Sequence, residues 1–351
     1  MIGISLCMIV KNEETTLESC LSSVTGVIDE IIIVDTGSTD RTKEIALRYT
    51  DKVFDYTWNN SFADARNFSI SKASNDFVLI IDSDEIVVES NLDEIKKLIK
   101  QNPKKIGRII RINEYMRAGE GYKYQERVNR LFSKKYFKYE GNIHEQVIAR
   151  DGLDDETYNI PLTLVHSGYE GDLETRQKKT KRNIELLNIA LKDKPSDPYI
   201  LYQLGKSYYM EEDYVSACSY FEQALSHEFD IGLEYVHDMV ESYGYALLNS
   251  NQYENAMGLL GVYDEFATSA DFVFLIGLIY MNNAKFTEAI GEFIKATRMQ
   301  FSKMDGVSSY RAYYNIGVIY ECLGQVDKAK EYYKKCGDYG LAAERLRQRL
   351  L

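Results

Sequence analysis

Short apolar runs rich in β-branched residues alternate with segments of helical spacing through the first hundred residues, and this alternation narrows the possible folds more than any other feature. ISLCMIV (4–10), EIIIVD (30–35), KVFDYTW (52–58) and DFVLIID (76–82) read as strands. Between them, NEETTLESCLSSV (12–24) puts Leu17, Cys20, Leu21 and Val24 on one helix face. TGSTDRTKEIALRYT offers Ser38 or Thr39 as a cap for a second helix, and SFADARNFSISKA (61–73) reads as a third. Strand, helix, strand, helix predicts a parallel sheet with helices on its faces. In such sheets ligands collect at the carboxyl ends of the strands.

Two of these strands end in acid. Asp35 and Asp82 stand where apolar runs stop, and Asp84 and Glu85 come at once after Asp82 in FVLIIDSDEIV (77–87). Asp35 could simply cap the next helix. Asp82 and Asp84, with only Ser83 between them, repel each other unless a cation shares them. Oxygen ligands of this kind suit Mg²⁺ or Mn²⁺, and such an ion usually completes its shell with substrate phosphates.

CMIVKNE (7–13), IIIVDTGSTDRT (31–42), FADARN (62–67) and LIIDSDE (79–85), in that order, resemble the successive motifs of family 2 glycosyltransferases with the GT-A fold. The resemblance covers about the first 170 residues and implies an α/β nucleotide-sugar-binding domain with a mostly parallel sheet over 1–170. It implies that Asp82 and Asp84 form a metal-binding DxD and that Asp35 and Arg66 contact the nucleotide. The backbone at Ile9 and the carboxylate of Glu13 lie near it, and a UDP-sugar is the expected donor, UDP-glucose by family habit. The chemistry of Arg66 agrees, since a permanently charged fork suits a diphosphate or a base edge. A surface salt bridge is the plainer role for that residue.

The segments RIIRINEYM (108–116), QERVNRLFSKKYFKYEG (125–141), IHEQVIAR (143–150) and PLTLVHSGY (161–169) read as strands and strand-like loops, and two of the four histidines, His144 and His166, fall among them. In an inverting transfer the acceptor loses a proton as it attacks, so a base must stand within hydrogen-bond reach. Glu145 is the candidate base and His166 the candidate third metal ligand, an order of residues that resembles the family pattern. His144 is the alternative ligand, because neighbouring residues on a strand point to opposite faces and His144 and Glu145 could not share one. Arg127 and Arg130 could face the diphosphate or acceptor, or serve as edge charges that discourage strand pairing.

After residue 170 the alternation gives way to helical patterns. LGKSYYMEEDYVSACSYFEQA (204–224), YGYALLNSNQYENAMGLLGVY (243–263), IGLIYMNNAKFTEAIGEFIKA (276–296) and IGVIYECLGQVDKAKEYYKKC (316–336) share a register. Gly205, Gly244, Gly277 and Gly317 are each followed by a small residue (Ala217, Ala256, Ala289, Ala329) and then a large one (Phe221, Leu260, Phe293, Tyr333). Their starts lie 39, 33 and 40 residues apart, near the tetratricopeptide period of about 34. The expectation is an all-α tetratricopeptide-like domain over 171–351, entered by a connecting helix at 175–193. A concave face on such an array could hold a peptide or glycan acceptor, and its last helix could support a homodimer.

Composition removes several other classes. A net charge of −12 is wrong for a nucleic-acid face, which needs dense basic surface. No apolar run reaches a membrane span and no signal peptide opens the chain, so a cytoplasmic location is expected. Five cysteines without CxxC spacing suggest core thiols, not zinc or disulfides. A transferase domain followed by repeats resembles the sublancin-type peptide S-glycosyltransferases, with WNNSFADARN and LVHSGY especially similar, although the sequence opens directly on its first strand without the helical extension some of them carry. That implies a peptide Cys or Ser as acceptor. Transfer to lipopolysaccharide core or another surface glycan is the second reading, and a repeat scaffold with a degenerate front domain the third.

Overall fold

The structure, a computed structural model, describes residues 2–117, 120–150, 155–166 and 173–348. The chain divides into two compact units, Met1–Arg176 and Gln177–Leu351. The boundary expected at residue 170, and the SGY of LVHSGY, lie outside the described residues.

In the first unit, β1 (Ile4–Val10), α1 (Leu17–Val24), β2 (Glu30–Asp35), α2 (Thr42–Ala46), β3 (Val53–Asp55), α3 (Phe62–Lys72) and β4 (Phe77–Ile80) follow the expected alternation. Then come β5 (Glu85–Ser90), α4 (Leu92–Gln101), β6 (Ile106–Arg117), β7 (Glu120–Ser133), β8 (Phe137–Glu140), β9 (Gln146–Ala149) and β10 (Thr157–His166). Eight strands form one sheet in the order β3-β2-β1-β4-β7-β6-β10-β5, and β8 pairs with β9. The strands β3, β2, β1 and β4 run parallel. Beyond them the sheet is mixed: β7 runs antiparallel to β4 and β6, β10 lies parallel to β6, and β5 closes the edge antiparallel to β10. A short turn can join only antiparallel neighbours, so the β6–β7 hairpin marks where the parallel half ends.

The inner strands are buried on both faces, which is why they read as continuous apolar runs. Leu6 and Met8 pack with Leu17, Leu21 and Ile33 on one face, while Cys7 packs with Ile32, Ile70, Val78 and Phe132 on the other. Four of the five cysteines are buried thiols, and Cys322 is exposed.

Three local expectations change. Neither Ser38 nor Thr39 caps α2, which starts at Thr42; Ser38 turns back to Asp35, and the Thr42 amide donates to Asp40 Oδ1 at 3.0 Å. The fourth strand stops at Ile80, because Asp82 to Glu85 fold into a turn in which the Glu85 amide donates to the Asp82 carbonyl at 3.1 Å. His144 and Glu145 precede β9 in a bend, with His144 at φ 49°, so strand alternation does not decide which way they face.

The second unit is helical: it takes up α5 (Leu173–Asp193) from Gln177 on, followed by α6 (Pro198–Met210), α7 (Tyr214–Leu225), α8 (Glu234–Asn249), α9 (Tyr253–Ala256), a 3₁₀ stretch at Met257–Val262, α10 (Tyr263–Phe266), α11 (Ala270–Asn282), α12 (Phe286–Ala296), α13 (Tyr310–Cys322), α14 (Val326–Lys335) and α15 (Gly340–Arg347). The register glycines are close-approach points. A Cβ on Gly205 would stand 2.6 Å from the Phe221 ring, on Gly277 2.7 Å from Phe293, and on Gly317 2.5 Å from Tyr333. The second repeat departs from this pattern. Gly244 meets Leu275 and Leu259 instead of Leu260, because 3₁₀ winding brings the third residue after Ala256, not the fourth, onto the packing face.

Candidate active site

The loops that leave β1 and β2 at their carboxyl ends are stitched together. Asn12 donates its amide to Ser38 Oγ (3.0 Å) and accepts from the Thr39 amide (2.8 Å), while the Glu13 amide donates to Thr42 Oγ1 (2.7 Å). Asp35 is buried beneath this seam, with Oδ1 accepting from the Ser38 amide at 3.0 Å and from Ser38 Oγ at 2.5 Å. It therefore braces the loop after β2 and not a helix. Ile9 sits near the end of β1 opposite Val34. The Glu13 side chain accepts from Thr16 Oγ1 at 2.9 Å.

The FADARN motif explains itself residue by residue. Ser61 caps α3 by accepting from the Asp64 amide. Asn67 holds the backbone of Tyr139 from both sides, donating to its carbonyl (2.9 Å) and accepting from its amide (3.0 Å). The Phe62 amide donates to the Asn142 carbonyl (2.8 Å), which ties the start of α3 to the bend carrying Glu145. Arg66 is thereby aimed inward, with its guanidinium carbon 5.6 Å from the Tyr139 ring centroid.

From Arg66 a continuous polar chain crosses the sheet. Arg66 Nε donates to Glu145 Oε1 at 2.5 Å and Nη2 to Asp82 Oδ1 at 2.8 Å. Arg130 Nη2 donates to Asp82 Oδ2 (2.9 Å) and Glu85 Oε1 (3.0 Å), and Arg111 Nη1 reaches the same Glu85 oxygen at 3.4 Å. Arg111 also grips Glu126 Oε1 through Nε and Nη2 at 3.1 and 2.8 Å. Asn113 Nδ2 donates to that oxygen at 2.7 Å, and Asn113 Oδ1 meets His166 Nδ1 at 2.8 Å. His166 Nε2 then stands 3.4 Å from Asp84 Oδ2.

Charge explains why this chain holds together. Glu85 is wholly buried, an environment that a carboxylate tolerates only when it is paired, and two guanidiniums pair it. Burial alone would raise the Asp82 carboxyl, but Arg66 and Arg130 outweigh it and hold the group well below the usual carboxylate range. Burial likewise works against the charged forms of Arg66 and Arg130, and their carboxylate partners reverse the effect and raise both. Tyr139 is pushed up to about 12 by burial, with both arginines opposing the rise. Five carboxylates (Asp82, Asp84, Glu85, Glu126, Glu145) face three guanidiniums (Arg66, Arg111, Arg130), an excess of two negative charges. Arg66 Nη1 is buried and makes no hydrogen bond.

The turn at 82–85 sends Asp82 to the arginines, with each of its oxygens taken by one guanidinium, and sends Asp84 to His166. Among the described residues no group of three His, Cys, Asp or Glu side chains converges as a metal cage. His166 is the histidine whose ring faces Asp84, whereas His144 lies in the bend beside Glu145. Of the two arginines in ERVNRLF, Arg130 joins the chain. Arg127 follows Glu126 directly on β7, and so its side chain leaves from the opposite face. Arg111, Asn113 and Glu126 carry no motif, and only their i, i+2 spacing and cross-strand pairing could have pointed to them.

The match to known families falls on these same elements. Residues 5–152 match the family model described as glycosyl transferase family 2, and residues 199–227 and 310–336 match tetratricopeptide repeat models. The first unit carries a family 2 glycosyltransferase domain. A TPR repeat-containing protein of Synechococcus elongatus is 31% identical over 233 residues, covering 64% of this chain and 57% of the relative. The glycosyltransferase SunS from the SPbeta prophage of Bacillus subtilis is 27% identical over 230 residues, covering 62% of this chain and 52% of that protein. The chain thus spans a little over half the length of these curated relatives. Among solved structures, MamA covers 51% of this chain at 22% identity with a TM-score of 0.40. The tetratricopeptide repeats follow the family 2 domain in the sequence, and among the described residues no helix is long and apolar enough to cross a membrane.

Proposed function

We propose that this protein is an inverting, metal-dependent glycosyltransferase that moves a hexose from a UDP-sugar to a peptide side chain, Cys or Ser. The observation that carries the reading is the polar chain from Glu145 to Asp84, set within a family 2 domain. A nucleoside diphosphate brought to a site with excess negative charge needs a cation with it. The donor set fits a divalent ion, since an aspartate oxygen and an imidazole nitrogen face each other 3.4 Å apart with substrate phosphates left to complete the shell. Asp84 and His166 would hold Mg²⁺ or Mn²⁺, which when bound neutralises charge on the departing diphosphate. Asp82 supports that site by holding Arg66 and Arg130.

Arg66 keeps Nη1 uncommitted for the nucleotide. Asp35, the backbone at Ile9, and Glu13 shape the stitched loops that receive it. Glu145 binds Arg66 through Oε1 and has Oε2 left to take the acceptor's proton. The repeats favour a peptide over a surface glycan, because stacked helix pairs form an extended concave surface suited to a chain.

The test is UDP release from UDP-glucose by the purified chain with Mn²⁺ or Mg²⁺. Activity should vanish on chelation and fall at least about 100-fold in Asp84→Asn. Unchanged turnover after chelation would end the metal reading. Modification of an offered core oligosaccharide, with Cys- and Ser-containing peptides left untouched, would move the acceptor to the glycan class.

A further inference from the structure

We propose that Asn67 is a positioning residue for Glu145: its side-chain amide fixes the β8–β9 ribbon, and with it the bend that carries the base. The inference rests on Glu145 being the base of the proposed function.

The bend needs an anchor because of where it stands in the fold. β8 and β9 form a two-stranded ribbon outside the eight-stranded sheet, and two strands alone are marginally stable. Phe137, Tyr139 and Val147 of the ribbon are buried with Phe132 and Ile70. Apolar burial is non-directional, so it holds the ribbon down without fixing it along its own axis. Asn67 supplies the missing direction. Its Nδ2 donates to the Tyr139 carbonyl at 2.9 Å, and its Oδ1 accepts from the Tyr139 amide at 3.0 Å. This is the double exchange that a neighbouring strand would make, and it turns both groups of Tyr139 away from β9.

Two more contacts from the same helix complete the hold. The Phe62 amide donates to the Asn142 carbonyl at 2.8 Å, and Arg66 Nε donates to Glu145 Oε1 at 2.5 Å. Residues 67, 62 and 66 of α3 thus hold positions 139, 142 and 145. The bend between β8 and β9 is tightly wound. Gly141 (φ 104°) and His144 (φ 49°) both take left-handed backbone, and a Cβ on Gly141 would stand 3.4 Å from Glu145 Cα. That conformation is strained for a residue with a side chain and persists only where its surroundings hold it. Released at Tyr139, the bend would relax and carry Glu145 with it. A displacement of about 1 Å can cost about 100-fold in rate.

The experiment uses the full chain and combines amide hydrogen exchange, read by mass spectrometry, with kcat and KM for the UDP-sugar. Asn67→Leu removes donor and acceptor at similar size. Exchange over residues 137–149 should quicken about 10-fold or more while β1 and β4 keep their wild-type rates. kcat should fall about 10- to 100-fold with KM near the wild-type value. In a Glu145→Gln background the same substitution should cost less than about twofold more, because a residue that acts through the base then has nothing to position. Asn67→Asp keeps the acceptor and loses the donor. It should show smaller changes of the same kind, and it carries the test if the leucine variant does not fold. Wild-type exchange in the ribbon, an unchanged kcat, or an equal loss with and without the Glu145 carboxylate would each overturn the proposal. The exchange measurement needs no turnover. A chain whose ribbon loosens as expected but which transfers no sugar would therefore count against the proposed function alone.

Discussion

Arg66 Nε donates to Glu145 Oε1 across 2.5 Å, joining residues that stand 79 positions apart in the chain. With Oε1 held by the guanidinium, Glu145 has its second oxygen to offer an acceptor. Gln and Ala at this position separate the anchoring role from the basic one. Glu145→Gln still accepts from Arg66 but takes no proton, and it should lose kcat by about 10²- to 10⁴-fold while KM for the UDP-sugar stays near the wild-type value. Glu145→Ala should lose both. Near-normal turnover in the Gln variant would reduce Glu145 to an anchor, and steady-state UDP release decides between the two.

Removing Arg66 should unfold more than it disarms. Asp82 and Glu145 both lean on it, and breaking a buried pair leaves uncompensated charge that costs about 3–5 kcal/mol. Arg66→Met fills similar space without charge, and its urea midpoint should fall accordingly. Because the pairing depresses the Asp82 carboxyl, the native state gains from the ionised form at any pH above the unfolded value of about 3.9. That gain should be flat from neutral pH down to about 4 and then shrink as acid is added. Urea titrations of the wild type and Asp82→Asn across pH 2 to 7 would show the two curves converging only at the acid end.

Much of the parallel half was legible. β1 and β2 span the residues that their apolar runs marked, because strands buried on both faces leave no polar interruption to blur the ends. The acid at the end of β4 was also visible, but its division was not: one turn sends Asp82 to Arg130, 48 residues away, and Asp84 to His166. Ion pairs at such separations leave no local pattern. Asn113 is quieter still, an ordinary polar residue on a strand whose role depends on its neighbours across two ladders. β5 and α4 lie beyond the expected elements; the EIVVES run sits at a sheet edge and ends in exposed polar residues. In the repeats the glycine register gave the packing in three units and missed Leu259 in the second, since nothing in NAMGLLGVY announces 3₁₀ winding.

The glycines offer a paired stability test. Gly277→Ala would set a methyl 2.7 Å from the Phe293 ring in a packed interface, and overpacking of this kind costs about 1–3 kcal/mol. Gly258, in the exposed 3₁₀ stretch, has nothing within 4 Å of an added Cβ. Gly258→Ala should be neutral or stabilise by about 0.4–1 kcal/mol through the unfolded chain. Chemical denaturation should show Gly277→Ala destabilised and Gly258→Ala not, and equal destabilisation would remove the close-approach account of the register glycines.

The helical unit holds an acid that should make its stability depend on pH in the sense opposite to Asp82. Glu241 is buried on α8, accepts from Ser269 Oγ at 3.2 Å and pairs with Lys303 Nζ at 3.2 Å. Burial pushes its carboxyl up to about 7; Lys303 opposes the rise, and Asp271 and Asp238 add to it. Between the unfolded value of about 4.3 and the folded value the native state holds a proton that the unfolded chain has released, so stability falls as pH rises through that window and levels off above it. Glu241→Gln keeps the shape and the Ser269 contact without the charge. Thermal melts from pH 4.5 to 8.5 should show the helical transition of the wild type declining up to about pH 7 while that of the variant changes much less. Parallel curves for the two proteins would mean that Glu241 is ionised throughout and that Lys303 alone compensates it.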